Sequence, residues 1–279
     1  MKLVSFSLAD EKIRPGSLDD EAARVIDLSA AGYPDALSVI SAGLTSVDAG
    51  KNYPSYPLSE VRLHAPLLNP PRIFLIGLNY RDHAVESGLA IPKTPVAFLK
   101  LPTAIIGPGE PIVLPVNTRE PDYEAEFAFV IGRGGYRISL EEAGSHVYGY
   151  TILNDVSARD IQNASSQWSL AKSFPTFCPL GPAIVTADAI ADPHALDISL
   201  NIDGAVMQSS NTRELIFPVP TLVEFISSIT PLFPGDIVST GTPSGVGQGR
   251  TPKRFLQPGE NVSITVEGLG TLTNPVVAE

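Results

Sequence analysis

The stretch Asp122-Tyr123-Glu124-Ala125-Glu126-Phe127-Ala128-Phe129-Val130-Ile131-Gly132 carries the densest chemistry in this 279-residue chain. In a strand, alternate side chains share a face, so Glu124 and Glu126 point the same way and Ala128 and Val130 continue that face inward. Phe127, Phe129 and Ile131 line the opposite face. Two carboxylates at the mouth of an apolar strand repel each other and lose solvation, which protonates one of them or recruits a cation. Oxygen-only ligands favour Mg²⁺, Mn²⁺ or Ca²⁺ over a soft metal. Taken alone, such a pair is more often a solvated strand end. A second acidic element changes the balance: the apolar run from Tyr148 to Asn154 ends on Asp155, placed to supply a third hard ligand or to cap the following turn.

Asn79 to Glu86 follows an apolar run and, if helical, sets His83 and Glu86 on one face at i,i+3 spacing. A carboxylate orients a neighbouring imidazole and supports it as a general base that activates water; in isolation the same spacing is commonly a surface pair. Lys172, between apolar residues and a Pro-containing loop, can stabilise an oxyanion or bind a substrate carboxylate, although a lone lysine is often only solvated. Ser239 to Gly247 is rich in glycine, which lets backbone N–H groups approach an anion. Its spacing is neither that of a P-loop nor G-x-G-x-x-G, so a nucleotide is not expected there.

The elements that must position these residues are mostly short strands. Runs at Ile73 to Leu78, Val96 to Leu99, Ile112 to Leu114, Phe127 to Ile131, Tyr148 to Asn154 and Ala183 to Val185 alternate with turn signals. Leu196 to Ile202, Ile237 to Thr240 and Val262 to Val266 continue the series. Helical patterning is confined to Leu140 to His146 and Pro220 to Ser228, the latter with Leu222, Phe225, Ile226 and Ile229 in register. The first sixty-odd residues differ: strands at Lys2 to Phe6 and Val25 to Leu28, helical patterning around Pro34 to Leu44, then a Tyr- and Pro-containing stretch. Proline pairs favour extended backbone. The boundary therefore falls near residue 69, giving a small N-terminal α/β domain with linker (1–69) and a mainly β, α+β catalytic domain (70–279).

Composition narrows the class. Hydrophobic residues make up 43% and charged residues 18%, an ordinary globular balance. A net charge of −11 repels phosphate backbones, so nucleic acid is not an expected partner. The single cysteine, Cys178, forbids an intrachain disulfide and reads as an inert buried thiol. No signal-peptide core is evident at the N-terminus and no run approaches the ~20 apolar residues of a membrane span, so a cytoplasmic protein is expected.

In this order the segments resemble the fumarylacetoacetate hydrolase (FAH) superfamily. The matching pieces are GLNYRDHAVESG (77–88), FLK (98–100), DYEAEFAFVIG (122–132), GYTILNDVSARDIQ (149–162), KSF..F.PLGP (172–182), PGDIVSTGTPSGVG (234–247) and GLGTLTN (268–274). The resemblance implies a rolled β-sheet body, a homodimer, and Mg²⁺ or Mn²⁺ held by Glu124, Glu126 and Asp155. It further implies an acid/base pair of His83 and Glu86 on a lid segment, and Lys172 as the stabiliser of developing negative charge. Lys100, Arg159, Gln162 and Thr242 occupy positions that line the substrate pocket in relatives. The expected reaction is C–C hydrolysis of a small 2,4-diketo acid. Oxaloacetate decarboxylation or tautomerisation, or isomerisation of an unsaturated dioic acid, are alternatives on the same site.

Overall fold

The computed structural model describes residues 1–48 and 50–279. The first part of the chain forms β1 (Lys2–Ser7), β2 (Arg14–Asp19), β3 (Arg24–Asp27), helix α1 (Ala36–Ser41), β4 (Ser55–Pro57) and β5 (Arg62–His64). A reciprocal Asp35–Ser38 capping box starts α1. There follow β6 (Ile73–Gly77), α2 (Arg81–Glu86), β7 (Val96–Lys100), β8 (Ile105–Ile106), β9 (Ile112–Leu114), β10 (Pro121–Asp122) and β11 (Ala125–Ile131). Then come β12 (Val147–Asn154), β13 (Ser157–Ala158), α3 (Arg159–Asn163), β14 (Cys178–Thr186), β15 (Asp197–Ile202) and β16 (Ala205–Asn211). Helix α4 (Val219–Ile229), β17 (Ile237–Ser239), β18 (Asn261–Val266) and β19 (Gly270–Ala278) complete the chain.

The fold is mostly β with few helices, as the sequence suggests. Among the described residues one sheet of twelve strands runs β4-β3-β2-β1-β14-β12-β11-β17-β6-β7, with β5 and β8 attached to β1 and β14. A five-stranded sheet, β16-β15-β18-β19-β9, packs against it. β1 pairs antiparallel with β14, Lys2 opposite Val185, so residues 1–69 extend the sheet that carries the acidic strand. β11 lies between β12 and β17 and is buried along its whole length, which explains its near-continuous apolar composition.

Its two faces serve two cores. Phe127, Phe129 and Ile131 pack with Leu200 and Ile264 of the smaller sheet and with Leu222 and Ile226 of α4. Ala128 and Val130 face the other way, toward Leu3, Ile40 and Ile184. Two local expectations differ from the outcome. Only Ala143–His146 of the 140–146 segment is helical, as a single 3₁₀ turn, because Ser139 and Ser145 bond locally to Glu142 instead of continuing a ladder. In α4 the buried stripe is Val219, Leu222, Val223 and Ile226, whereas Ile229 is 67% exposed at the helix end. Cys178 is fully buried, and burial pushes its thiol up to about 12, which makes it a poor nucleophile at neutral pH.

Candidate active site

The register of β11 on β12 assembles the acidic cluster. Ala125 lies opposite Asn154, the Asp155 amide donates to the Glu124 carbonyl at 3.0 Å, and the Glu124 amide donates to Asn154 Oδ1 at 3.1 Å. The end of one strand and the residue after the next therefore meet. Glu124, Glu126 and Asp155 are all buried, and one carboxylate oxygen from each lies within 4.8 Å of the others.

Three cations crowd the same spot. Lys172 Nζ donates to Glu124 Oε2 at 2.7 Å and also to Asp155. Lys100 Nζ donates to Asp155 Oδ1 at 2.6 Å, and the Arg159 guanidinium donates to Glu124 Oε1 at 2.5 Å. Burial opposes ionisation of Glu124, but Lys172 and Arg159 outweigh it and hold the carboxyl well below the usual range. Burial likewise disfavours the charged Lys172, and Asp155 with Glu124 reverses this and raises it. Glu126 stands apart. Its Oε2 accepts from the Ser239 hydroxyl and the Gly241 amide, yet burial and then the neighbouring Asp155 and Glu124 push it up to about 8.

This donor set fits a divalent cation. The ligand atoms are hard carboxylate oxygens from three buried residues, all within 4.8 Å of one another, and burial followed by the neighbouring Asp155 and Glu124 raises Glu126. Mg²⁺ or Mn²⁺ suits oxygen donors of this kind, and Glu124, Glu126 and Asp155 would hold it.

The cluster forms part of a cavity of about 510 Å³. Above it, β6 runs into Leu78, whose left-handed backbone (φ 52°) turns the chain into α2. On α2, His83 Nδ1 and Glu86 Oε2 lie 3.0 Å apart, and both residues line the cavity. Burial raises the Glu86 carboxyl, but His83 and the Gly245 amide outweigh it and hold Glu86 below its ordinary 4.5. An ionised Glu86 only accepts, so His83 Nδ1 carries a proton and, in the neutral imidazole, Nε2 is the nitrogen that can accept one.

Of the residues singled out in the sequence, His83, Glu86, Glu124, Glu126, Asp155, Arg159, Gln162, Lys172 and Thr242 share this cavity wall. Lys100 lies beneath Asp155 and is 1% exposed, so it faces the carboxylate and not the cavity. Thr242 accepts from the Gln208 amide at 2.8 Å, and Gln162 accepts from Arg159 at 2.9 Å. The glycine-rich loop lets its amides approach anions, and these anions are the protein's own carboxylates: Gly241 donates to Glu126, Gly245 to Glu86, and Gly247 and Gln248 to Asp122. Sequence reasoning missed Asp122, Gln248 and Trp168, which packs edge-on against Phe98 at 5.3 Å to wall the cavity. Asp122 opens the same acidic motif, which was the available signal.

Residues 72–277 match the family described as fumarylacetoacetate (FAA) hydrolase C-terminal. The chain belongs to this family and is an enzyme of the FAH superfamily. It is 41% identical to the mitochondrial oxaloacetate tautomerase fahd2 of Xenopus laevis, over 99% of this chain and 90% of that protein. It is 45% identical to the oxaloacetate tautomerase YisK of Bacillus subtilis, over 79% of this chain and 75% of that one. Among solved structures it resembles the fumarylacetoacetate hydrolase of Exiguobacterium antarcticum (TM-score 0.90, 38% identity, all of both chains). It also resembles the maleylpyruvate hydrolase of Sphingobium sp. SYK-6 in complex with manganese(II) ion and pyruvate (TM-score 0.82, 29% identity, 100% of this chain and 99% of that one). No helix among the described residues is long and apolar enough to cross a membrane.

Proposed function

We propose that the chain is a divalent-metal-dependent tautomerase that interconverts the keto and enol forms of a small 2-keto dicarboxylic acid, with oxaloacetate as substrate. The observation that carries this reading is one cavity shared by the His83–Glu86 pair and the Glu124–Glu126–Asp155 cluster. The tautomerase relatives support it, since proton transfer is all that their named reaction requires. It replaces hydrolysis as the first reading.

Charge balance favours an anionic substrate. At the cavity floor and in the layer beneath it, four carboxylates, those of Asp122, Glu124, Glu126 and Asp155, meet three cations, those of Lys100, Arg159 and Lys172. With all groups ionised one negative charge is in excess, and a divalent cation would turn this into one positive charge, which attracts an anionic acid. A bound cation would withdraw electron density from the 2-keto group and make the neighbouring C–H more acidic. The residues then divide the work. His83 Nε2 takes a proton from C3 as the C–H pair forms the C2–C3 double bond and the carbonyl π pair moves onto the C2 oxygen; a proton gained by that oxygen completes the enol, and the same steps in reverse restore the ketone. Glu86 steadies the resulting imidazolium through Nδ1. Lys172 spends two of its three N–H donors on Glu124 and Asp155, leaving the third for an oxygen that gains negative charge. Trp168 and Phe98 make one wall of the cavity apolar.

Hydrolysis of a 2,4-diketo acid is the second reading. The 510 Å³ cavity falls within the size range of small-ligand sites and has room beyond a four-carbon acid for a longer acyl group and a water. The test is metal-stripped protein with and without Mn²⁺, given enol-oxaloacetate or acylpyruvates, with ultraviolet loss of enol and pyruvate release followed together. Metal-restored enol loss without pyruvate is expected. Faster pyruvate release from an acylpyruvate would favour the hydrolase, and metal-independent rates in both assays would contradict either reading.

A further inference from the structure

Asp122 is fully buried, lies outside the group of carboxylates that could hold a metal, and accepts four hydrogen bonds on its two oxygens. Oδ1 accepts from the Tyr123 amide at 2.9 Å and the Gly247 amide at 2.7 Å. Oδ2 accepts from the Gln248 amide at 3.0 Å and Arg159 Nε at 2.8 Å. The two-stranded ribbon of β10 and β13, with Asp122 opposite Ser157, sets this carboxylate beside the start of α3 and hence beside Arg159. Arg159 in turn reaches Glu124 with its other face. Glycine is needed at 247, because a Cβ there would sit 1.9 Å from the Arg254 carbonyl and 2.6 Å from Asp122 Oδ1. Two residues earlier in the same loop, Gly245 holds Glu86.

We propose that Asp122 is a positioning residue that fixes the metal ligand Glu124 through Arg159 while anchoring the loop that holds Glu86. The role rests on the metal reading of Glu124 given above. A guanidinium bridging two carboxylates is held in one plane by its fork geometry, so the Glu124 oxygens are aimed by a carboxylate they never touch. Groups that orient metal ligands in this way commonly set affinity as strongly as geometry does. Every neighbour of Asp122 is a donor. Asp122→Asn keeps the volume but must turn its own NH₂ toward one of them, which breaks either the Arg159 contact or the loop contact.

The experiment is Mn²⁺ binding to metal-free protein by calorimetry, with free Mn²⁺ checked by electron paramagnetic resonance, alongside the melting temperature of each metal-free protein. Asp122→Asn is expected to weaken Mn²⁺ binding by about 10- to 100-fold in protein that is still folded. Arg159→Lys keeps the positive charge but loses the fork. It is expected to weaken binding similarly, and the double variant no more than the worse single one. If Asp122→Asn does not fold, Arg159→Lys alone decides, and unchanged affinity in it overturns the role. Tight binding by the parent chain with unchanged affinity in Asp122→Asn, even at a lower melting temperature, would reduce Asp122 to a purely structural group. A parent chain that does not bind Mn²⁺ would overturn both the metal reading and this role.

Discussion

The Glu86 carboxylate and the Gly245 amide meet at 2.8 Å although 159 residues separate them in the chain. This bond seats α2, and with it His83, against the glycine-rich loop that also holds Glu126 and Asp122. Acid–base pair and carboxylate cluster are thus fixed to one strip of backbone.

Gly249 should be intolerant of any side chain for this reason. A Cβ there would lie 2.7 Å from Glu86 Cδ and 2.9 Å from Oε1, while its backbone is not in the left-handed region. Gly249→Ala is therefore expected to displace Glu86 with little loss of stability. Turnover should fall by roughly 10-fold or more, as expected for a disturbed general base, and the melting temperature should stay within a few degrees. Parent-like turnover would separate the Glu86 position from catalysis.

The anchoring of α2 should weaken in acid. Because the fold holds Glu86 below its ordinary 4.5, its contribution is fully present above that pH and is lost as pH falls through the lower folded value. Hydrogen exchange at Ala84, Ser87 and Leu89, whose amides close the α2 turn, should accelerate below pH 4.5 relative to the core. Glu86→Gln should show the faster exchange already at neutral pH. Exchange that is flat across this window in the parent protein would contradict the assignment.

Tyr80 offers a test of stability alone. Its ring is wholly buried, and its hydroxyl, beside the Thr240 side chain, makes no well-formed hydrogen bond among the described residues. A buried hydroxyl without a partner costs about 1–3 kcal/mol. Tyr80→Phe removes the oxygen and keeps the ring, so chemical denaturation should give equal or greater stability. A loss of more than ~1 kcal/mol would mean that the hydroxyl has a partner.

Local pattern made much of this molecule legible. Alternation from Glu124 into β11 puts Glu124 and Glu126 on one side, and the helical spacing of His83 and Glu86 brings them together, because both relationships lie within a few residues. The strands at Ile73, Tyr148 and Leu196 are visible in the same way. What pattern cannot show is which partner a side chain finds across the sheet. The family resemblance places Lys100 in the pocket, but it pairs with Asp155 beneath the cavity, and the loop amides find Glu86, Glu126 and Asp122. The short apolar spacing around Leu140 resembles a helix, yet it yields one 3₁₀ turn because serine side chains there satisfy the backbone locally.

The most direct test of the proposed chemistry is the rate of enol-oxaloacetate ketonisation by His83→Asn at saturating Mn²⁺, measured with its Mn²⁺ affinity. If His83 moves the proton while the separate carboxylate cluster binds the cation, the rate should fall about 100- to 10,000-fold with affinity unchanged. A rate equal to that of the parent protein would contradict the assignment.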